Sequence, residues 1–221
     1  MTSSSPQPAG VDPDAGEEAL VLIVDDDASL RGALGSLFRS VGLKVALFAS
    51  AAEVLEFALP DLPCCMVLDV RLRGASGLDL QSRLGRMGVQ IPIIFMTGHG
   101  DIPMTVAAMK AGAEDFMAKP LRDQDLLDAV TAALEKDRLR REGVRQADEI
   151  RANFQNLTPR EAEVMRLAVA GLLNKQIAGD IGISEVTVKM HRGQAMRKMK
   201  ARSFADLVLM AQQLGIRKAL P

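Results

Sequence analysis

From residue 19 onward, short apolar runs alternate with longer stretches in which apolar residues recur at helical spacing. The runs ALVLIV (19–24), KVALF (44–48), CCMVL (64–68), PIIFM (92–96) and DFMA (115–118) are short and almost continuously apolar. That pattern predicts strands covered on both faces, the habit of a parallel sheet. Amphipathic segments near 28–41, 51–59, 77–86, 102–111 and 123–137 predict the intervening helices. Together they predict a doubly wound, five-stranded parallel α/β domain over residues 19–136.

The pattern then changes twice. Residues 137–156, DRLRREGVRQADEIRANFQN, are charged, helix-prone apart from Gly143, and have apolar positions Leu139, Val144, Ala147, Ile150 and Phe154 that keep no steady heptad. A charged linker helix extending the preceding one is predicted over a coiled coil. At Leu157-Thr158-Pro159-Arg160-Glu161 a new helix starts, with Thr158 as cap, Pro159 at the first helical position and Glu161 returning a bond. Four helices follow, near 159–170, 174–180, 185–199 and 203–214, in an all-α domain over 157–221. Residues 1–18, rich in Ser, Pro, Ala, Gly and acids without periodicity, predict a disordered tail.

Charge sharpens this division. The whole chain of 221 residues has a formal net charge of −1, but residues 1–150 hold 15 basic and 23 acidic side chains while residues 151–221 hold 12 and 5. A net of −8 facing a net of +7 predicts two modules with different partners. No stretch approaches the roughly 18–20 apolar residues of a membrane span, and the start lacks the basic and apolar regions of a secretory signal. A cytoplasmic protein with no membrane partner is expected. Adjacent Cys64 and Cys65 lie in an apolar run and read as buried thiols, not a disulfide or metal site. Trp and Tyr are absent, which argues against single-strand recognition by base stacking.

The predicted strand ends carry the chemistry. The first finishes in Asp25-Asp26-Asp27, the third in Asp69, the fourth in Thr97 and the fifth in Lys119-Pro120. Open α/β sheets place their sites at the carboxyl ends of strands, beside the switch in strand order. Clustered carboxylates there repel one another, and a hard divalent cation such as Mg²⁺ relieves the repulsion. A hydroxyl and an ammonium opposite could receive a phosphoryl group. Asp27 reads as the cap of the first helix and Asp79 as a solvated helix residue.

LIVDDD (22–27), LDVRLRGASGLDL (68–80), MTGHGD (96–101) and KAGAEDFMAKP (110–120), in that order, resemble the receiver domain of two-component response regulators. The resemblance implies that Asp69 accepts a phosphoryl group from a sensor histidine kinase. It further implies that Asp25, Asp26, Asp69 and the backbone carbonyl of Arg71 hold Mg²⁺, that Lys119 neutralises phosphoryl oxygens, and that Thr97 and Phe116 move as the switch. Phe116 also reads as simple core, and His99, which in receivers tunes phosphate lifetime, as an exposed loop residue. Arg73 departs from the family, which usually has proline there, and adds a charge to the loop after Asp69.

LTPRE (157–161), GLLNKQIA (171–178) and ISEVTVKMH (183–191) resemble the LuxR-type helix-turn-helix, and the two domains together resemble the FixJ group of NarL/FixJ response regulators. By period, Ile183, Val188, His191, Ala195 and Met199 face the core of the recognition helix, leaving Glu185, Lys189, Arg192, Gly193 and Met196 outside. Lys189 and Arg192 are the candidate base-edge contacts, Met190 an apolar contact to a thymine methyl, and Gly193 a site of close approach to DNA. Lys175, Ser184, Thr187, Lys198 and Lys200 are the candidate phosphate contacts. The implied partners are double-stranded promoter DNA, a second copy in a homodimer when phosphorylated, and RNA polymerase. Two alternatives stay open. One is a constitutive DNA-binding protein whose first domain only docks or dimerises; the other is an aspartyl-phosphate phosphatase, although Arg71 stands where such an enzyme needs a second aspartate.

Overall fold

A computed structural model of the chain describes residues 18–98 and 102–216. His99 and the 1–17 part of the predicted tail therefore lie outside the described residues. The chain separates into two compact units, the first ending at Arg141 and the second beginning at Glu142.

The first unit contains β1 (Leu20–Val24), α1 (Ala28–Ser40), β2 (Lys44–Phe48), α2 (Ala51–Glu56) and β3 (Cys64–Asp69). It continues through β4 (Arg71–Leu72), β5 (Ala75–Ser76), α3 (Gly77–Arg86), β6 (Ile93–Thr97), α4 (Ile102–Lys110), β7 (Asp115–Ala118) and the start of α5 (Asp123–Gln155). Five strands form one parallel sheet in the order β2-β1-β3-β6-β7. Side chains alternate between its faces with the period of two that a strand imposes. Leu22, Met66 and Phe95 point to a core closed by α2, α3 and α4; Ile23, Val67 and Ile94 point to one closed by α1 and α5. This explains the uninterrupted apolar runs, since both faces are covered. The two-residue strands β4 and β5 form a small antiparallel hairpin that the sequence pattern does not predict, because pairs this short carry no period; Gly74 turns it with φ +78°.

Strand ends fall within a residue of expectation, and α5 runs without a break through 137, so the charged segment extends the preceding helix as its sequence predicts. Asp137 is fully buried in the first unit. Its carboxylate accepts the amide of Cys64 at 2.9 Å and bonds to the guanidinium groups of Arg140 and Arg141. Cys64 and Cys65 are buried free thiols, and burial pushes Cys64 up to about 11.

The second unit holds the end of α5 with α6 (Pro159–Val169), α7 (Asn174–Ile181), α8 (Glu185–Lys198) and α9 (Phe204–Gln213). The expected capping box forms at α6: the Thr158 hydroxyl accepts from the Glu161 amide and the Glu161 carboxylate accepts from the Thr158 amide. Gly182 ends α7 in the left-handed conformation, φ +70°, which positions the turn into α8. Ile150 and Phe154 of α5 pack against the core of Met165, Ala195, Met199 and Leu207. Among the described residues no helix is long and apolar enough to cross a membrane.

Candidate functional site

The strand order reverses around β1, which pairs β2 on one side and β3 on the other. The crevice beyond the carboxyl ends of β1 and β3 is where ligands bind in such sheets. Asp25 follows β1 directly and Asp69 is the last residue of β3. Both are buried, and one carboxylate oxygen from each of Asp25, Asp26 and Asp69 lies within 4.8 Å of the others. The Lys119 ammonium, arriving from the end of β7, bridges the pair at 2.8 Å to Asp25 Oδ2 and 2.7 Å to Asp69 Oδ2. Burial works against its charge, but the hydrogen bonds and charges of the two aspartates prevail and hold Lys119 above its ordinary value.

Backbone groups complete the pocket. Asp25 Oδ1 accepts the Asp27 amide at 2.8 Å, and Asp69 Oδ1 accepts the Arg71 amide at 3.0 Å. The Thr97 carbonyl accepts the Lys119 amide at 2.7 Å, which joins the ends of β6 and β7; Thr97 itself is buried. Asp27 is the cap of α1, accepting from the amides of Ser29 and Leu30, and these bonds lower its pKa. Phe116 is half-buried, its ring centroid 6.3 Å from that of Phe95. Asp79 is exposed.

Three features of this pocket are not evident from the strand-end pattern. Arg31 donates to the Asp25 carbonyl at 2.6 Å, tying α1 to the end of β1. Gly77 starts α3 so close to β3 that a Cβ there would lie 2.4 Å from the Asp69 carbonyl oxygen. The only sequence signal for it is its place in RGASGLDL. Arg73, the departure noted in the loop, donates through Nε to Asp26 Oδ2 at 2.8 Å. The oxygen-rich donor set of Asp25, Asp26 and Asp69 fits a hard cation such as Mg²⁺.

In the second unit the structure redistributes the predicted contacts. Lys175, Lys189, Met190 and Gly193 are exposed as expected. Arg192 is not on the open face: its guanidinium stacks 4.2 Å from the centroid of Phe204 and donates to Asn174 Oδ1 at 3.3 Å. Met196 is likewise drawn into the core beside α9. The period alone misplaces both, because α8 packs on α6 and α7 and its flank also meets α9. Of the predicted buried stripe, Val188, Ala195 and Met199 are buried, whereas Ile183 and His191 are only half-buried.

The candidate phosphate contacts split similarly. Ser184 caps α8, its hydroxyl accepting from the Thr187 amide and lying 2.8 Å from the Thr187 hydroxyl. Lys198 donates to Glu161 Oε2 at 2.7 Å, and Lys200, with φ +56°, to Glu149 Oε1 at 2.6 Å. Arg197, absent from the predicted set, is exposed.

Residues 21–131 match the response regulator receiver domain family, and residues 155–211 match the bacterial regulatory proteins of the luxR family. Nodulation protein W of Bradyrhizobium diazoefficiens is 56% identical over 92% of this chain and 89% of its own length. The transcriptional regulatory protein FixJ of Azorhizobium caulinodans is 42% identical over 92% of this chain and 96% of its own. A solved structure of the response regulator StyR superposes with a TM-score of 0.81 at 46% identity, over 89% of this chain and 99% of that one.

Proposed function

The chain belongs to the two-component response regulators that join a receiver domain to a LuxR-family DNA-binding domain, in the FixJ-like group, and on that premise we propose that it is switched by phosphorylation of Asp69. The observation that carries this reading is the Lys119 ammonium held between Asp25 and Asp69 inside a three-carboxylate pocket. An oxygen of Asp69 attacks the phosphorus of a phosphohistidine on the sensor kinase; the O–P bond forms as the P–N bond breaks, leaving an aspartyl phosphate and a neutral histidine. Asp25, Asp26 and Asp69, with the Arg71 carbonyl, are the residues that would hold Mg²⁺, which when bound supplies positive charge to the phosphoryl oxygens. Lys119 gives up part of its bond to Asp69 and turns to the new phosphoryl group. Thr97, one strand away, donates its hydroxyl to that group, and Phe116 follows inward against Phe95.

The output of the switch is pairing and DNA binding. Ile102, Val106 and Met109 stand exposed at helical spacing on α4, which gives the α4–β7–α5 surface an apolar stripe suited to a phosphorylation-dependent homodimer. In the second unit, Lys189, Met190 and Gly193 of α8 meet base edges in the major groove of promoter DNA, and Lys175 meets phosphate. Lys198 and Lys200, paired with Glu161 and Glu149, each leave a donor over for phosphate, and the bonded hydroxyls of Ser184 and Thr187 leave one between them. Arg192 acts instead as a brace that sets α8 against α9.

The test is promoter binding by the full-length protein with and without acetyl phosphate and Mg²⁺. The expected result is tighter, dimeric binding on phosphorylation that is lost in Asp69→Asn. Equal binding by all forms would favour the constitutive alternative, in which the receiver only docks.

A further inference from the structure

Gln81 is a polar residue on the buried face of α3. It is only 7% exposed and shares that face with Gly77, Leu80 and Leu84. Its Nε2 donates to the Ala111 carbonyl at 3.2 Å, and because that oxygen can only accept, the amide is fixed with Oε1 turned the other way. Oε1 is buried and has no hydrogen-bond partner among the described residues. A buried acceptor without a donor costs stability, and a leucine here would remove that cost, so the oxygen calls for a donor from outside the fold.

Gln81 lines a cavity of about 280 Å³ at the amino end of β6, the opposite end of the sheet from Asp69. Leu84 of α3 and Val89, Ile91 and Pro92 of the following connection give it an apolar wall. Glu114, before β7, and Lys136 and Arg140 of α5 bring charge to it. These charges are unevenly committed. Lys136 gives one of its three donors to Glu114, and Arg140 spends Nε and Nη2 on Asp137 Oδ1, which leaves Nη1. The Asp137 carboxylate is fully buried and already accepts from Cys64, Arg140 and Arg141. Spare donors therefore exceed spare acceptors at the charged side, which favours an anion.

An acceptor in need of a donor, an apolar wall and two cations with donors to spare define one ligand chemistry. We propose that this cavity is a binding site for a small organic acid bearing a hydroxyl or N–H group, with Gln81 Oε1 accepting from that group and Lys136 and Arg140 holding the carboxylate. Its volume lies at the lower edge of the roughly 300–1,000 Å³ of small-molecule sites, which suits a ligand of about ten non-hydrogen atoms. The inference rests neither on phosphorylation of Asp69 nor on DNA binding.

The test is an amide-resolved NMR titration of the full-length protein with para-hydroxybenzoate and ω-hydroxyhexanoate, each set against benzoate or hexanoate, which lack the hydroxyl. At least one hydroxy acid is expected to bind at about millimolar affinity or tighter and to shift the amides of Gln81, Gly112 and Lys136. It should bind about fivefold more tightly than its counterpart without the hydroxyl, the worth of one hydrogen bond. Gln81→Leu should lose that preference. Lys136→Gln, at a side chain 66% exposed and so harmless to folding, should weaken every acid about threefold. Absence of shifts at these amides with both hydroxy acids, a hydroxyl preference that survives in Gln81→Leu, or undiminished binding by Lys136→Gln would overturn the inference.

Discussion

Arg73 Nε lies 2.8 Å from Asp26 Oδ2, so a guanidinium holds one of the three carboxylates that a divalent cation would use. The cation must displace it. Because Arg73 is 88% exposed, the pair contributes no more than about 1 kcal/mol. Arg73→Ala is therefore expected to raise Mg²⁺ affinity roughly two- to fivefold in a calorimetric titration. Unchanged or weaker Mg²⁺ binding would show that the arginine does not compete for the site.

Lys119 has a larger task, since it is the cation bonded to both Asp25 and Asp69. Lys119→Met leaves these buried carboxylates uncompensated and should destabilise the protein by about 1–3 kcal/mol in the absence of divalent cation. Adding Mg²⁺ should restore much of that loss, so the melting temperature of the variant should respond to Mg²⁺ more strongly than that of the wild type. Equal Mg²⁺ responses would mean that the ammonium and the metal do not share these oxygens.

Arg192 and Lys189 should behave as opposites. Arg192→Ala removes the stacking on Phe204 and the bond to Asn174, and a loss of about 1 kcal/mol is expected in denaturant unfolding. Lys189→Ala, on an exposed position, should leave stability unchanged and weaken DNA binding. The reverse pattern would return Arg192 to the base-reading role its sequence position suggests.

Acid should act on the second unit through Glu161. Its carboxylate is held below the ordinary value of 4.5, first by the Lys198 ammonium and then by the Thr158 amide. A carboxyl with a lowered folded-state pKa stabilises fully above its unfolded value and loses that contribution as the pH falls through the folded one. The melting-temperature gap between wild type and Glu161→Gln should therefore be constant above about pH 5 and close progressively below it. A gap that persists unchanged into acid would assign the effect to packing.

What is legible in the sequence follows from how many neighbours each signal needs. The central strands β1, β3 and β6 are legible because burial on both faces leaves an unbroken apolar run, and the acidic pocket because each of its residues closes a strand: Asp25 after Val24, Asp69 after Leu68, Lys119 after Ala118. The capping box at Thr158 is legible because it is purely local. Contacts between distant segments are not. Asp137 looks like one more charge in a charged stretch until the amide of Cys64, far away in sequence, is placed against it. Arg192 looks outward until Phe204 covers it, and the Arg73–Asp26 pair depends on a hairpin too short to leave a pattern. Gly77 is a glycine because of one carbonyl oxygen on a neighbouring strand.

Phosphorylation of Asp69 underlies every step of the proposed switch. Its most direct test is mass spectrometry of the full-length protein after incubation with acetyl phosphate and Mg²⁺, followed by peptide mapping. The expected result is the mass of one added phosphoryl group, located on the peptide containing Asp69 and missing from Asp69→Asn. A phosphoryl group that persists in Asp69→Asn, or one mapped to another residue of the wild type, would contradict it.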